Sequence, residues 1–257
     1  FFTVLTRFVQ VRQFSEMWRL LMSGKSSEQG ISSFQALAIS LSGRVGAGNI
    51  AGVAAAIGFG GPGAVFWMWV VAFFGAATAY VESANAQIYK EEHDGKYHGG
   101  PAYYIQQGLG SRAFAIVFAA CLFLGYGFTF SAMQTNTITD ALNYAFEVPT
   151  FYSGLVITVL AGSIILGGFK AIARFAERVV PIMGIVFVLA ALIITIINFT
   201  QVPAMLKDIF LSAFGLQEAG AGAMGAAIKN GIQRGLYSNE AGAGSVPHAS
   251  ASASPIP

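Results

Sequence analysis

An apolar stretch long enough to cross a membrane is interrupted near its centre by Ser42-Gly43-Arg44-Val45-Gly46-Ala47-Gly48-Asn49-Ile50-Ala51-Gly52. Each glycine in a continuous helix costs about 1 kcal/mol relative to alanine, so this run disfavours an unbroken helix. Broken backbone at membrane depth persists only where it is buried in protein or lines a cavity. Interrupted helices whose ends face a ligand and an ion are typical of secondary transporters. The segment therefore predicts a broken helix at a binding site.

The composition indicates the class of protein. Hydrophobic residues make up 55% of the chain, charged residues 10%, and the mean hydropathy is +0.62. A soluble domain carries about 25% charged residues, so we predict an all-α polytopic membrane protein. The net charge of +2 does not indicate a nucleic-acid partner, because the basic residues lie at helix ends. The single cysteine, Cys121, falls in an apolar run, where we expect a buried thiol.

Apolar segments alternate with polar loops along the chain. They cover Ser32–Phe59, Pro62–Tyr89, Arg112–Phe146, Phe151–Phe169, Val179–Phe199, and a sixth stretch that starts near Gly220 and breaks between Ser238 and Pro247. The residues before Ser32 are rich in Phe, Arg and Trp. This pattern predicts the end of an earlier helix followed by an amphipathic segment on the membrane surface.

Basic residues indicate which loops face the cytoplasm. If the segment before Ser32 is inside, the inner loops contain Arg7, Arg12, Arg19, Lys25, Lys90, Lys96, Arg112, Lys170, Arg174 and Arg178, whereas the outer loops contain only Lys207. This bias places that segment and the loops at residues 90–112 and 170–178 on the inner side.

A second interruption lies in the sixth segment, at Ser238-Asn239-Glu240-Ala241-Gly242-Ala243-Gly244-Ser245-Val246-Pro247. It repeats the Gly-Ala-Gly of the first interruption and adds a buried ionisable residue, Glu240. Five segments separate the two interruptions, and this odd number predicts that a second repeat would be inverted. Paired interruptions at corresponding positions indicate a binding site near the middle of the membrane.

The backbone groups exposed at two such breaks indicate which ligands can bind there. The N-terminus of a half-helix offers unpaired N–H groups and a partial positive charge, which suits a carboxylate. Unwound carbonyl groups carry partial negative charge, which suits an ammonium group or Na⁺. A small zwitterionic amino acid together with a sodium ion satisfies both.

The glycine run has two other interpretations. Residues 46–51 formally match the dinucleotide fingerprint, but no strand precedes them and residues 66–71 offer no acid for a ribose. Close packing through Gly48 and Gly52 remains open, although it does not account for Asn49 or for Arg44, an ionisable residue that must face protein or water.

Polar residues on other segments add candidates. Ser131, Gln134 and Thr135 share one face of the third segment, either as ligands or as hydrogen-bonding groups between helices. Glu82 and Asn85 are expected near the inner end of the second segment, where they could pair with basic residues of the loops.

Four motifs in combination resemble the alanine or glycine:cation symporter family, a branch of the leucine-transporter-like superfamily with a five-plus-five inverted repeat. They are Ser42-Gly43-Arg44-Val45-Gly46-Ala47-Gly48-Asn49-Ile50-Ala51-Gly52-Val53-Ala54, Gly61-Pro62-Gly63-Ala64-Val65-Phe66-Trp67-Met68-Trp69, Gly99-Gly100-Pro101 and Ser238-Asn239-Glu240-Ala241-Gly242-Ala243-Gly244-Ser245. The likeness covers nearly the whole chain.

The resemblance implies a leucine-transporter-like fold made of the first inverted repeat plus the first helix of the second, with two interrupted helices. Residues 1–31 would be the end of a preceding helix and an amphipathic cytoplasmic segment, and residues 32–199 the first five-helix repeat. Residues 200–257 would be an outer loop and the interrupted first helix of the second repeat. Because a five-plus-five fold needs four more helices, we expect the chain to be an N-terminal portion that does not transport alone.

The resemblance also implies a function: sodium-driven uptake of alanine or glycine across a bacterial or archaeal inner membrane, by alternating access and without an organic cofactor. The implied substrate-binding residues are Gly46, Ala47, Gly48, Gln134, Ser238, Asn239 and Gly242. The implied sodium ligands are the carbonyl groups of Ser42 and Val45 at one site and Asn49 at another. The lipid bilayer, Na⁺ and the amino acid are the expected partners.

Two other functions stay open. A proton-coupled amino acid permease of the same superfamily would use Glu240 and Arg44 as a proton-linked pair. A non-transporting, truncated membrane subunit is the other. An enzyme is not expected, because no intramembrane set of nucleophile and base, or of metal ligands, can be assembled from the chain.

Overall fold

A computed structural model describes residues 1–23, 31–93, 96–216 and 221–253 of the chain. Within these ranges the protein consists of α-helices and one small hairpin. The helices are α1 (Phe2–Leu5), α2 (Val9–Arg12), α3 (Phe14–Ser23), α4 (Ser33–Arg44), α5 (Ala47–Gly60), α6 (Gly63–Ile88), α7 (Pro101–Gly108), α8 (Arg112–Leu124), α9 (Ser131–Phe146), α10 (Thr150–Leu166), α11 (Gly168–Ile197), α12 (Val202–Ala213), α13 (Ala221–Asn239) and α14 (Val246–Ser252). The antiparallel strands are β1 (Glu91–His93) and β2 (Lys96–His98). A π-helical turn, Gly125–Phe130, joins α8 to α9, and a 3₁₀ turn, Phe199–Gln201, precedes α12.

Some sequence predictions fall outside these ranges. They concern Lys25 in the amphipathic segment, the start of the sixth segment near Gly220, and the last residues, 254–257.

Within the part of the chain that the structure describes, three helical stretches are long and apolar enough to cross a membrane. They are α6, the continuous stretch Arg112–Phe146, and α11, while α10 is a shorter apolar helix. The prediction of an all-α polytopic membrane protein is therefore confirmed. Cys121 is exposed on the surface of α8, so the expectation of a buried thiol was wrong. The apolar face of a membrane helix turns towards lipid, and an apolar sequence context does not imply burial in protein.

The first residues do not form the end of one helix. Arg7 and Phe8 both have positive φ angles, of 52° and 55°, and they separate α1 from α2. Both short helices pack on α6, and Gln10 Nε2 donates a hydrogen bond to the carbonyl oxygen of Phe73 at 3.4 Å. The following helix, α3, has exposed Phe14, Met17 and Trp18 on one face, as an amphipathic segment requires.

The fifth segment is longer than its apolar run. We predicted that it starts at Val179 after an inner loop at residues 170–178, but α11 begins at Gly168 and includes Pro181. Ala173, Ala176 and Val180 are buried in clusters shared with α4. Glu177 accepts a hydrogen bond from Gln35 Nε2 of α4 at 2.9 Å, whereas the basic residues of this part are exposed. Packing against α4 sustains the helix where hydropathy alone predicted a loop.

The two interrupted helices lie side by side and run antiparallel. A β-carbon placed at Gly48 would lie 3.0 Å from Cα of Ser238, and one placed at Gly60 would lie 2.9 Å from Cβ of Asn230. At the other end, the backbone N–H of Ile31 donates to the carbonyl oxygen of Ser252 at 3.2 Å, which joins the start of α4 to the end of α14. Glycines along α5 therefore allow the close approach that aligns the two breaks.

Candidate functional site

The first break separates α4 from α5. The helix ends at Arg44, Val45 is extended with φ −109° and ψ 99°, and Gly46 is extended with φ −164° before α5 begins at Ala47. The glycine run thus produces the interruption that it predicted.

Gln134 of α9 caps the N-terminus of α5. Its Oε1 accepts a hydrogen bond from the backbone N–H of Ala47 at 3.1 Å. A β-carbon placed at Gly46 would lie 3.0 Å from Nε2 of Gln134, so a side chain there would push the Gln134 amide away from its present position. One of the unpaired donors at the N-terminus of α5 is therefore satisfied by a side chain from a neighbouring helix.

The second break separates α13 from α14 and contains three residues with positive φ. They are Glu240 at 51°, Gly242 at 88° and Gly244 at 85°. A β-carbon placed at Gly244 would lie 2.7 Å from the ring of Phe118, so this glycine is required by space as well as by conformation.

Glu82 of α6 holds the second break. Its Oε2 accepts a hydrogen bond from the backbone N–H of Gly242 at 2.8 Å. The expectation that Glu82 pairs with basic loop residues was wrong. The twist of α6 turns this carboxylate towards the unwound backbone, whose N–H groups have no helical partner.

Glu240 joins the two breaks to the π-helical turn. It is 6% exposed, and its Oε2 accepts hydrogen bonds from the hydroxyl groups of Tyr126 at 3.2 Å and Ser245 at 2.7 Å. A β-carbon placed at Gly43 would lie 3.4 Å from the same oxygen. The buried carboxylate is therefore hydrogen-bonded as well as close to the end of α4, as a buried charge requires.

Arg44 provides the positive charge of this site. The nearest charges that attract its guanidinium are Glu82 and Glu240. Its Nε and Nη2 atoms are buried and have no hydrogen-bond partner among the described residues. The two breaks thus enclose one guanidinium and two carboxylates.

Aromatic rings cover one side of the breaks. Tyr126 stacks on Phe130 with ring centroids 4.6 Å apart, and Phe130 lies 5.2 Å from Tyr237. The ring of Tyr237 would be 3.2 Å from a β-carbon at Gly48. This wall leaves little space beside the first turn of α5.

Comparison with known proteins assigns the chain. The family model described as the sodium:alanine symporter family matches residues 1–256. The chain belongs to this family.

Related carriers agree with this assignment. A Bacillus subtilis protein with the provisional name sodium/proton-dependent alanine carrier is 53% identical over 98% of this chain and 52% of its own length. A second B. subtilis protein, provisionally named a sodium/glutamine symporter, is 44% identical over 98% of this chain and 53% of its own length. The sodium/alanine symporter of Methanococcus maripaludis is 40% identical over 98% of this chain and 58% of its own length. The family and these relatives are transporters rather than enzymes, and the chain spans about half the length of the relatives it matches.

Several residues that the sequence singled out come together in this member of the sodium:alanine symporter family. Gly46 and Ala47 contact Gln134, and Gly48 lies against Ser238. These five residues come from α5 with its preceding break, α9 and α13.

Asn239 and Gly242 contact α6 rather than α5 and α9. The amide group of Asn239 packs on Gly75, lines a cavity of about 350 Å³ together with Phe1 and Thr3, and has no hydrogen-bond partner for its buried Nδ2. Gly242 faces Glu82 and Thr78.

The three residues proposed from the resemblance as sodium ligands occupy different surroundings. Ser42 is exposed, and its hydroxyl donates to the carbonyl oxygen of Ile39 at 2.7 Å. Val45 lines an apolar cleft between α4 and α11, whereas Asn49 is half-buried in the first turn of α5.

Tyr126 and Tyr237 were not singled out from the sequence, and Glu82 was considered only as a partner for basic residues of the loops. The signal for Glu82 was available, because an ionisable residue inside an apolar segment marks a functional position by default. Gly125 and Gly127 flank Tyr126 in an apolar run, and π-helical turns of this kind are frequent at functional sites. No comparable signal distinguished Tyr237 from the other aromatic residues.

Proposed function

We propose that the full-length protein is a sodium-coupled symporter that carries a small neutral amino acid, alanine or glycine, into the cell. The observation that supports this most directly is the contact between the two breaks, where Gly48 lies against Ser238. Adjacent breaks supply helix N-termini for a carboxylate and free carbonyl groups for Na⁺ in one place.

The roles that we propose for individual residues are those that the family resemblance implies. Gly46, Ala47 and Gly48 would face the amino acid from α5, and Gln134 and Ser238 would bound it on two sides. Ser42, Val45 and Asn49 would provide sodium ligands through their carbonyl groups and the Asn49 amide, and Asn239 and Gly242 would complete the opposite wall.

The size of the proposed pocket favours a small side chain. Ala47 carries only a methyl group, the glycines on both sides carry none, and the aromatic wall ends at Tyr237 beside Gly48. Substrate names differ among relatives of similar identity, so alanine, glycine and glutamine must be compared directly.

Alternating access requires α4 and α14 to separate on the inner side. Their contact there is made by Ile31, Ala36 and Ala253, which lie in one buried cluster, and by the hydrogen bond from Ile31 N–H to the carbonyl oxygen of Ser252. The extended residues Val45 and Gly46 would be the hinge for α4. We also infer that residues 32–199 form the first repeat and that the membrane is the plasma membrane of a bacterium or an archaeon. The amphipathic segment before Ser32 would lie on its cytoplasmic side.

The test is uptake by the full-length protein in proteoliposomes. We expect an inward sodium gradient to drive uptake of labelled L-alanine or glycine, and L-glutamine to be carried poorly. Gly46→Leu should abolish uptake, because its side chain would meet Gln134 within 3.0 Å. Gly58→Leu is the matched control, since nothing lies within 4 Å of a β-carbon there. Uptake without sodium, or equal uptake by both variants, would contradict the proposal.

Coupling to protons is a second candidate, favoured by the buried Glu240 beside Arg44. In that case a pH gradient without sodium should drive uptake, and Glu240→Gln should abolish the response to pH. If a pH gradient neither drives uptake nor changes the uptake driven by sodium, proton coupling is excluded.

A further inference from the structure

The guanidinium of Arg44 has one edge that is buried and unpaired. The Nε and Nη2 atoms have no hydrogen-bond partner among the described residues. Their N–H groups lie side by side on one edge of the planar group, which is the edge that holds a carboxylate with two parallel hydrogen bonds. The same atoms of Arg19 show this geometry, with Nε donating to Glu16 Oε2 at 2.8 Å and Nη2 donating to Glu16 Oε1 at 2.5 Å.

The nearby carboxylates do not occupy this edge. Oε2 of Glu240 is taken by Tyr126 and Ser245, and Oε2 of Glu82 by the backbone of Gly242. Both groups therefore attract Arg44 while they remain bound to the second break. Across the described ranges, no ion pair within 4.0 Å joins Arg44 to either one.

Another buried, unpaired polar group lies close to the first break. Among the described residues, the buried side-chain atoms without a partner belong to Arg44, Tyr237, Asn239 and Gln10. Arg44 and Tyr237 lie at the first break, whereas the Asn239 amide faces the cavity that Phe1 and Thr3 also line, and Gln10 lies on α2. Buried polar groups in native proteins are almost always hydrogen-bonded, so the unpaired atoms of Arg44 and Tyr237 indicate a polar ligand.

One of the N–H donors at the N-terminus of α5 already has a hydrogen-bond partner. Gln134 accepts the hydrogen bond of the Ala47 N–H, the first donor that a carboxylate would meet there. Arg44 ends α4 only two residues before Gly46, so its free edge is the alternative carboxylate site at this break.

We propose that Arg44 binds the α-carboxylate of the transported amino acid through Nε and Nη2. This inference rests on the proposed function and names the group that recognises the substrate. Glu82 and Glu240 outnumber the guanidinium by one negative charge when both are ionised, which attracts the substrate's ammonium group and one Na⁺ to the same place.

The experiment measures binding of labelled L-alanine to the full-length protein in sodium, with L-alanine and L-alaninamide as competitors. Alaninamide keeps the ammonium and methyl groups but lacks the carboxylate. Arg44→Gln should weaken alanine binding about 10- to 100-fold and leave alaninamide binding unchanged, since it removes hydrogen bonds between charged groups. Arg44→Lys should lie in between, because an ammonium group cannot form the paired contact. Arg19→Gln is the matched control and should bind alanine like the wild type.

If Arg44 acts only as a counter-ion for the two carboxylates, we expect a different result. Arg44→Gln would then weaken both competitors equally, and the neutral double variant Arg44→Gln/Glu240→Gln would recover alanine binding. Either observation overturns the inference. If the wild type binds no amino acid in sodium, the proposed function fails together with it, whereas wild-type binding that survives Arg44→Gln removes the inference alone.

A measurement on the wild type covers the case in which the variants do not fold. Phenylglyoxal modifies accessible guanidinium groups, and peptide mass spectrometry reports each arginine separately. Alanine should protect Arg44 several-fold and leave Arg19 unprotected, whereas alaninamide should protect neither. Equal protection by alanine and alaninamide would overturn the inference.

Discussion

The carboxylate of Glu82 accepts a hydrogen bond from the backbone N–H of Gly242 at 2.8 Å. Glu82 lies on α6, a continuous helix of 26 residues, whereas Gly242 lies in the unwound segment between α13 and α14. The flexible backbone of the second break is thus held by a group on a rigid element.

Replacing Glu82 tests this support. Glu82→Gln keeps an acceptor oxygen but loses the charge, and hydrogen bonds to charged groups are about twice as strong as neutral ones. We expect alanine binding to weaken about 10-fold, and Glu82→Ala to weaken it further and lower the melting temperature. Glu92→Gln on the exposed strand β1 is the control. Unchanged binding in Glu82→Ala would contradict this role.

The close approach of α5 and α13 depends on Gly48. Gly48→Ala would place a β-carbon 3.0 Å from Ser238 Cα and 3.2 Å from the ring of Tyr237. The backbone of Ser238 cannot move aside as a flexible side chain can, so we expect the two breaks to separate. Overpacking of about 1–3 kcal/mol would lower the affinity for alanine about 5- to 150-fold. Gly58→Ala, in the same helix and facing open space, should leave affinity unchanged and raise stability. Similar behaviour of the two variants would show that the contact is unimportant.

Gln134 satisfies the first N–H group of α5. Gln134→Ala leaves that half-buried donor unpaired, at a cost of about 1–3 kcal/mol. We expect lower stability by thermal unfolding and weaker alanine binding, because the start of α5 loses its orientation. Asn136→Ala, on an exposed face of the same helix, serves as the comparison. Equal melting temperatures for the two variants would refute the predicted role.

Lys90 ties the inner end of α6 to the end of α14. Its Nζ donates to the carbonyl oxygen of Ala253 at 2.7 Å and lies 4.1 Å from the centre of the Tyr97 ring. Burial lowers the pKa of the Lys90 ammonium below its ordinary value of 10.5. Near that pH the unfolded chain therefore binds more protons than the folded one, and this group makes stability rise with pH up to 10.5.

Lys90→Met removes both contacts and this pH dependence. We expect faster hydrogen exchange in the β1–β2 hairpin, and a stability that rises less than in the wild type as the pH approaches 10.5, as read from melting temperatures at a series of pH values. If Lys90→Met keeps the wild-type slope of stability against pH, the rise in stability is due to other groups.

The break positions followed from residue chemistry and needed no tertiary information. Glycine lowers the free-energy cost of leaving the helical conformation. Arg44 and Asn49 are polar residues in the middle of an apolar segment, which marks a functional position. The start of α11 was different. The apolar run predicted Val179, but Ala173 and Ala176 pack on α4, and this contact extends the helix back to Gly168.

Residue types and their order determined by themselves that this chain forms membrane helices with two interruptions, since hydropathy and the conformational freedom of glycine are local properties. Only the tertiary structure decided which side chains meet there. Glu82 comes from α6, whereas Tyr126 and Gln134 come from the continuous stretch Arg112–Phe146, and the packing of these helices directs all three side chains to the breaks. These contacts depend on helix rotation and on the close approach allowed at Gly48, and neither can be read from a single segment.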